Sequence, residues 1–399
     1  MFEPSLLAVI PLPCEGGWRA GVAVGGGAAG VAGGVRVAGV AVAGGGGVVG
    51  AGRGGGIHRG CDGRALAPGG LGRLTRGMST PDIPLLDIAA WRTGTSGQRE
   101  RVAARMDEAL TRSGFLLIEN HAVPEELRER IRGEAGRFFA LPRERKQRYA
   151  APVGGRGWIP PGGEANSFYG QPADPARADL KESITNGRDF RTGDPLTDEQ
   201  WFAPNVWPAE TPQLASLAGE FTGLVRELYY DLLRMGASAL GLAEDTFTGH
   251  VQRGPQTFNI NRYPPRTVTG PALDGQYRVA AHTDWGILTI LDRQPGYGGL
   301  QVQALDGSWA DAPYVPGAFT VNVADLLSRW TGERWRSTRH RVLPPPAEAP
   351  EEELVSLIVF LEAEMDTVIR PVAGNRELDP VVAGDWYRTR ESAATVPPA

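Results

Sequence analysis

His282 and Asp284 stand two residues apart in Arg278-Val-Ala-Ala-His282-Thr-Asp284-Trp285, and His340 follows in Ser337-Thr-Arg-His340-Arg-Val342. Two neutral imidazoles and one carboxylate can occupy one face of a ferrous ion and leave the other face open for dioxygen and an oxidisable ligand. The expected metal ligands are therefore His282, Asp284 and His340. A bare His-x-Asp is common, so its weight comes from what surrounds it. Only five histidines occur, His58, His121, His250, His282 and His340, and two of them fall in this arrangement.

Such ligands need rigid elements to aim them. Ile287-Leu-Thr-Ile-Leu291 follows the first pair as an apolar, β-branched run, and Gly317-Ala-Phe-Thr-Val-Asn-Val323 is a second such run before His340. The ligands are expected at strand ends, where the period of two puts His282 and Asp284 on one side. Glu100 to Ser113, Pro124 to Phe139 and Gln213 to Leu242 show helical apolar spacing. After Thr257 the chain turns to short β-rich runs broken by Gly and Pro. Helices first and strands later predict an α+β fold.

Several longer stretches resemble one family. Asn261-Arg-Tyr263-Pro-Pro, His282-Thr-Asp284, Gly298-Gly-Leu-Gln-Val302, Val315 to Asp325, Arg329-Trp330-Thr and Ser337 to Val342 occur in the order found in the isopenicillin N synthase-like iron(II)/2-oxoglutarate-dependent oxygenases. Ile83 to Asp87, Gly114 to His121, Phe138 to Pro142, Gly157 to Pro161 and Asp179 to Ser183 are similar to the family's N-terminal region. The resemblance runs from about Ile83 to about Tyr387. It implies a double-stranded β-helix, a jelly-roll barrel of cupin type with flanking N-terminal helices. It also implies three cofactors or cosubstrates, namely Fe(II), 2-oxoglutarate and dioxygen. Oxidative decarboxylation of 2-oxoglutarate to succinate and carbon dioxide is coupled in that family to oxidation of an unactivated carbon. Metal and cosubstrate supply the reactivity while the protein supplies geometry.

Carried over residue by residue, Tyr263 and Ser356 are the expected carboxylate-binding hydroxyls, with Asn261 beside them. One departure stands out. Where the family has Arg-x-Ser on the last barrel strand, this chain reads Leu354-Val-Ser356. Leucine cannot hold the distal carboxylate of 2-oxoglutarate, and an unpaired buried carboxylate would cost several kcal/mol. Arg293, just after the strand ending at Leu291, is the first candidate to replace the arginine, with Arg262 and Arg341 behind it. Trp158, Phe168, Phe258, Trp285 and Phe360 are candidates for an aromatic pocket wall, each weighed against an ordinary core position.

With 399 residues and 41% hydrophobic content, the chain can bury a large core. A net charge of −5 gives no reason to expect nucleic acid or an anionic membrane. Cys14 and Cys61 both precede the resembling region, which fits a reducing cytoplasm. Lys146 and Lys181 are the only lysines, and with abundant Arg, Ala, Gly and Pro this points to a GC-rich bacterial genome. Residues 1–77 are low-complexity Gly, Ala and Val, expected to be disordered or a gene-start artefact with translation from Met78. Gly25 to Gly30 matches a dinucleotide-binding expression but lacks the acidic residue and the βαβ context. Residues 78–250 are expected to form the N-terminal helical region, and 251–399 the iron-binding barrel with a C-terminal extension.

Three functions compete at this level. The first is an oxygenase hydroxylating, desaturating or cyclising a small molecule in bacterial specialised metabolism, antibiotic biosynthesis included, as a cytoplasmic monomer. The second is an isopenicillin N synthase-type oxidase that needs no 2-oxo acid, kept open by Leu354. The third is a non-catalytic binding protein on an oxygenase scaffold, against which the intact ligand triad speaks.

Overall fold

The computed structural model describes residues 83–165 and 174–394. The leader 1–77 and Phe168 therefore lie outside the described residues.

Alternation of side chains along the strands separates two apolar layers. In β2 (Phe115–Glu119), Leu116 and Ile118 face the helices, while Phe115 and Leu117 join Leu300 and Val302 in a second, smaller cluster between the sheets. The larger sheet runs in the order β1 (Leu85–Asp87), β2, β10 (Phe319–Val323), β7 (Leu288–Asp292), β12 (Leu354–Leu361), β5 (Gln256–Tyr263), β4 (Glu182–Gly187) and β3 (Gly157–Ile159). The smaller has β6 (Val279–His282), β11 (His340–Val342), β8 (Leu300–Gln303) and β9 (Trp309–Asp311). Two sheets facing each other around an inner cluster make the jelly roll.

The helices Ser96–Arg112, Glu125–Phe139 and Leu214–Ala239 correspond to the three expected from apolar spacing. The last buries Leu217, Phe221, Val225, Leu228 and Leu232 at helical intervals against the outer face of the large sheet. Each such side chain contributes about 1.5–3 kcal/mol on burial. Gly114 ends the first helix with φ +71, and a side chain there would strike the Arg336 carbonyl.

Residues before 250 also supply β1 to β4. β4 pairs with β5 over six residues, and β2 with β10 over four, so the N-terminal region completes the large sheet. β4 reads Glu-Ser-Ile-Thr-Asn-Gly, with Ile184 in the helix-side core and Ser183 and Thr185 on the opposite face. That polar inner face hides the strand from an apolar-alternation test.

Candidate metal centre and cosubstrate pocket

His282 ends β6 and His340 begins β11, and the two are register partners. Their rings lie 4.3 Å apart. His282 Nδ1 donates to the Ala280 carbonyl at 2.8 Å and His340 Nδ1 to that of Thr338 at 3.1 Å. Each Nε2 is thereby left with its lone pair toward the other and toward Asp284. Asp284 Oδ1 is 3.4 Å from His282 Nε2 and 3.7 Å from His340 Nε2. The three donor atoms lie within 4.8 Å of one another.

Asp284 is aimed by its other oxygen. Oδ2 accepts from Thr289 Oγ1 at 2.5 Å and from Asn322 Nδ2 at 2.7 Å, from β7 and β10. Burial works to raise the Asp284 carboxyl, but His340, His282 and Thr289 together hold it below the usual carboxylate range. Burial and the neighbouring His282 push His340 down to about 4, which keeps that imidazole neutral. A fixed carboxylate and two tautomer-fixed imidazoles fit Fe(II). Gly286 follows because a Cβ there would lie 2.0 Å from Glu362 Oε2.

The expected carboxylate-binding residues meet on the inner wall. Ser356 is the register partner of Asn261, and Leu354 that of Tyr263. Tyr263 is buried, which raises its hydroxyl above the ordinary value, and the Asn261 and Ser356 side chains both face that hydroxyl. Asn261 Oδ1 is buried without a hydrogen-bond partner. Leu354 packs with Tyr263 and Val279, so the wall carries no charge where the family's arginine would stand.

The nearby cations are sorted by direction and by counterion. Arg262 points to the outer face, where it pairs with Glu182 at 2.7 Å and Glu353 at 2.5 Å. Arg341 likewise alternates with His340 and points outward, bonded to Gln301 at 2.7 Å and stacked 4.1 Å from Trp309. Both are thereby removed as carboxylate ligands. Arg278, which the sequence pattern did not single out, is fully buried 5.6 Å from the Tyr263 ring but neutralised by Glu352 at 2.8 Å. Lys181, on the same face as Ser183, is paired with Glu164.

Arg293 differs from all of these. Leu357 pairs with Asp292, so Arg293 stands beside Ser356, on the inward side shared with Thr289 and Leu291. Its guanidinium donates to the Pro313 carbonyl and lies 5.5 Å from the Tyr314 ring. Burial pushes it down to about 10, and among the described residues no carboxylate pairs with it.

Of the aromatic wall, Phe360 faces inward as the register partner of Thr289, and Trp285 is exposed beside Asp284. Trp158 and Phe258 are corrections. Both face the helices, Trp158 donating to Glu182 at 2.7 Å and Phe258 packed on Phe221.

Two family models match in succession. Residues 83–210 fit the non-haem dioxygenase in morphine synthesis N-terminal model, and residues 255–363 fit the 2OG-Fe(II) oxygenase superfamily model. The chain is 37% identical over 314 residues to a validamycin A dioxygenase of Streptomyces hygroscopicus subsp. limoneus, covering 77% of this chain and 85% of that protein. The chain belongs to the 2OG-Fe(II) oxygenase superfamily.

This oxygenase is also 32% identical over 300 residues to a homoarginine-6-hydroxylase of Glycine max, covering 71% of this chain and 86% of that protein. Among solved structures, a putative 2OG-Fe(II) oxygenase family protein from Caulobacter crescentus superposes with TM-score 0.67 at 27% identity, over 78% of this chain and 99% of that one. A Neurospora crassa protein in complex with alpha-KG and thymine gives TM-score 0.67 at 26% identity, over 78% and 96%. The oxygenase therefore uses Fe(II), 2-oxoglutarate and dioxygen, and of the three competing activities the 2-oxoglutarate-dependent one holds. No helix among the described residues is long and apolar enough to cross a membrane.

Proposed function

We propose that the oxygenase holds Fe(II) on His282, Asp284 and His340, and the distal carboxylate of 2-oxoglutarate on Arg293. Ser356, Tyr263 and Asn261 complete that carboxylate's surroundings. The observation that carries this reading is an inward, half-buried guanidinium beside Ser356 with no acidic partner among the described residues. A buried charge of that kind is costly until an opposite charge pairs with it, and a dicarboxylate supplies one.

When bound, iron, 2-oxoglutarate and dioxygen supply the oxidising chemistry, in which decarboxylation to succinate and carbon dioxide accompanies oxidation of a substrate carbon. The protein's part is positional. Ala280 and Thr338 fix the imidazole tautomers, and Thr289 and Asn322 fix the carboxylate. Leu291 and Ile358 form the single inward rung between Thr289 and the Arg293–Ser356 end, an apolar strip that would suit the cosubstrate's methylenes.

The substrate is a small molecule that enters beside Phe360 and Trp285. The similarity to a validamycin A dioxygenase supports a place in bacterial specialised metabolism. The test is anaerobic. Fe(II)-loaded protein is titrated with 2-oxoglutarate while the visible charge-transfer band is recorded, with Arg293→Leu alongside. A band that saturates in the parent and needs far more cosubstrate in the variant supports the reading. Equal titrations in both overturn the role of Arg293.

A further inference from the structure

A second guanidinium, without an acidic partner among the described residues, lies on the inner wall, and no role in holding iron or 2-oxoglutarate accounts for it. Gly187 pairs with Thr257, Thr257 with Phe360, and Phe360 with Thr289, whose hydroxyl holds Asp284. This rung crosses the large sheet and ends at the metal ligand. At its far end Gly187 has no side chain, and the space a Cβ would take is filled by Arg156, whose Cζ lies 2.2 Å from that position. The glycine is what lets an arginine from the preceding loop lie across the strand.

The partners of Arg156 are all neutral. Nη1 donates to the Asn186 carbonyl at 3.1 Å and to Thr257 Oγ1 at 3.4 Å, and Nη2 to the Trp201 carbonyl at 3.2 Å. No carboxylate pairs with it among the described residues, and burial pushes it down to about 10. One rung further in, Thr185 and Asn259 are register partners, and Thr185 Oγ1 and Asn259 Oδ1 are both buried without a hydrogen-bond partner. A half-buried cation flanked by unsatisfied buried polar atoms is a recurrent sign of a ligand-binding wall. Arg156 is not a second anchor for 2-oxoglutarate. Its rung and the Ser183–Asn261–Ser356 rung are four residues apart along the strands, roughly 13 Å at the usual rise.

We propose that Arg156 anchors the substrate, pairing with a carboxylate or phosphate on it at the rung whose Thr289 holds Asp284, so that the oxygenase acts on acidic small molecules. Thr257 shares that anchor, and Thr185 and Asn259 take hydroxyl or amide groups of the same substrate. This rests on the iron and 2-oxoglutarate sites described above. The planar guanidinium, held by two carbonyls, presents its remaining N–H groups to an oxyanion.

The experiment uses full-length protein loaded with Fe(II) and 2-oxoglutarate. Small carboxylic acids are assayed against their own primary amides, and phosphate monoesters against their parent alcohols, for stimulation of 2-oxoglutarate consumption. Acidic members are expected to stimulate and their neutral partners to be inert. In Arg156→Gln the half-saturating concentration of a stimulating acid should rise at least about tenfold, the loss of one charge-assisted pair, with Arg156→Lys recovering part of it. The charge-transfer band of 2-oxoglutarate should stay unchanged in both variants, which shows them folded and loaded. Neutral compounds stimulating as well as acids, an undiminished acid response in Arg156→Gln, or silence of every acid overturns the proposal. Absence of the band in the parent protein would instead strike the cosubstrate reading.

Discussion

The backbone N–H of Asp325 donates to the carbonyl of Asp284 at 2.8 Å. Its carboxylate also accepts from Ser337 Oγ at 2.5 Å, three residues before His340, so Asp325 ties the approaches of all three ligands together. The same carboxylate meets Arg390 Nε at 3.2 Å on the C-terminal helix Ala383–Ala394, where Trp386 Nε1 donates to the Trp285 carbonyl at 3.1 Å. Asp325→Ala keeps the backbone bond to Asp284 but removes the carboxylate that holds Ser337 on the approach to His340, and should weaken Fe(II) binding by about 10-fold, the low end of the range for residues that orient metal ligands. Arg390→Ala removes only a partly exposed pair and should move the affinity by less than about fivefold. Titration of the charge-transfer band with Fe(II) at saturating 2-oxoglutarate reads both, and equal losses in the two variants would contradict this ranking.

If the wall needs one cation and tolerates it at either of two places, the charge can be moved. Arg293→Leu should raise the 2-oxoglutarate concentration for half-saturation by about 10- to 150-fold, the equivalent of a hydrogen bond to a charged group. Leu354→Arg in that background puts a guanidinium beside Tyr263, where Leu354 now packs. Partial recovery is expected. A double variant no better than Arg293→Leu would mean that the Leu354 site no longer reaches the carboxylate.

His282, Asp284 and His340 were legible as residue types at a fixed spacing, and Asn261, Tyr263 and Ser356 only through the family resemblance; the structure brings each group together. The misplaced candidates were also decidable from the sequence. With Asn261 and Tyr263 inward, the period of two sends Arg262 and Phe258 outward, and with His340 inward it sends Arg341 outward. Arg156 was not decidable. Its place depends on Gly187, thirty-one residues later, and on a loop that folds back over β4, neither of which leaves a local pattern.

Asn322 and Thr289 test whether aiming the carboxylate matters as much as having it. Both donate to Asp284 Oδ2, which turns Oδ1 toward the imidazoles. Asn322→Leu and Thr289→Val should each lower Fe(II) affinity by about 10- to 100-fold while Asp284→Ala abolishes tight binding. An Asn322→Leu variant that binds iron as the parent does would show that the backbone alone fixes the carboxylate.

Asp292 precedes Arg293, the proposed cosubstrate arginine, and faces the other way. Its oxygens meet Arg128 Nη1 at 2.8 Å and Arg132 Nη2 at 2.6 Å, all three side chains being buried, which pins the helix Glu125–Phe139 to the end of β7. Asp292→Ala leaves two buried guanidinium groups without their carboxylate, a change that costs about 3–5 kcal/mol. Because Arg293 is the next residue, the loss of that anchor should also loosen the cosubstrate end of the wall. Urea unfolding should show the stability loss, and the 2-oxoglutarate titration of the folded fraction should shift upward, while Fe(II) affinity at the opposite end changes little. Undisturbed stability would mean that Glu129, already 2.6 Å from Arg132, and water suffice to neutralise the pair.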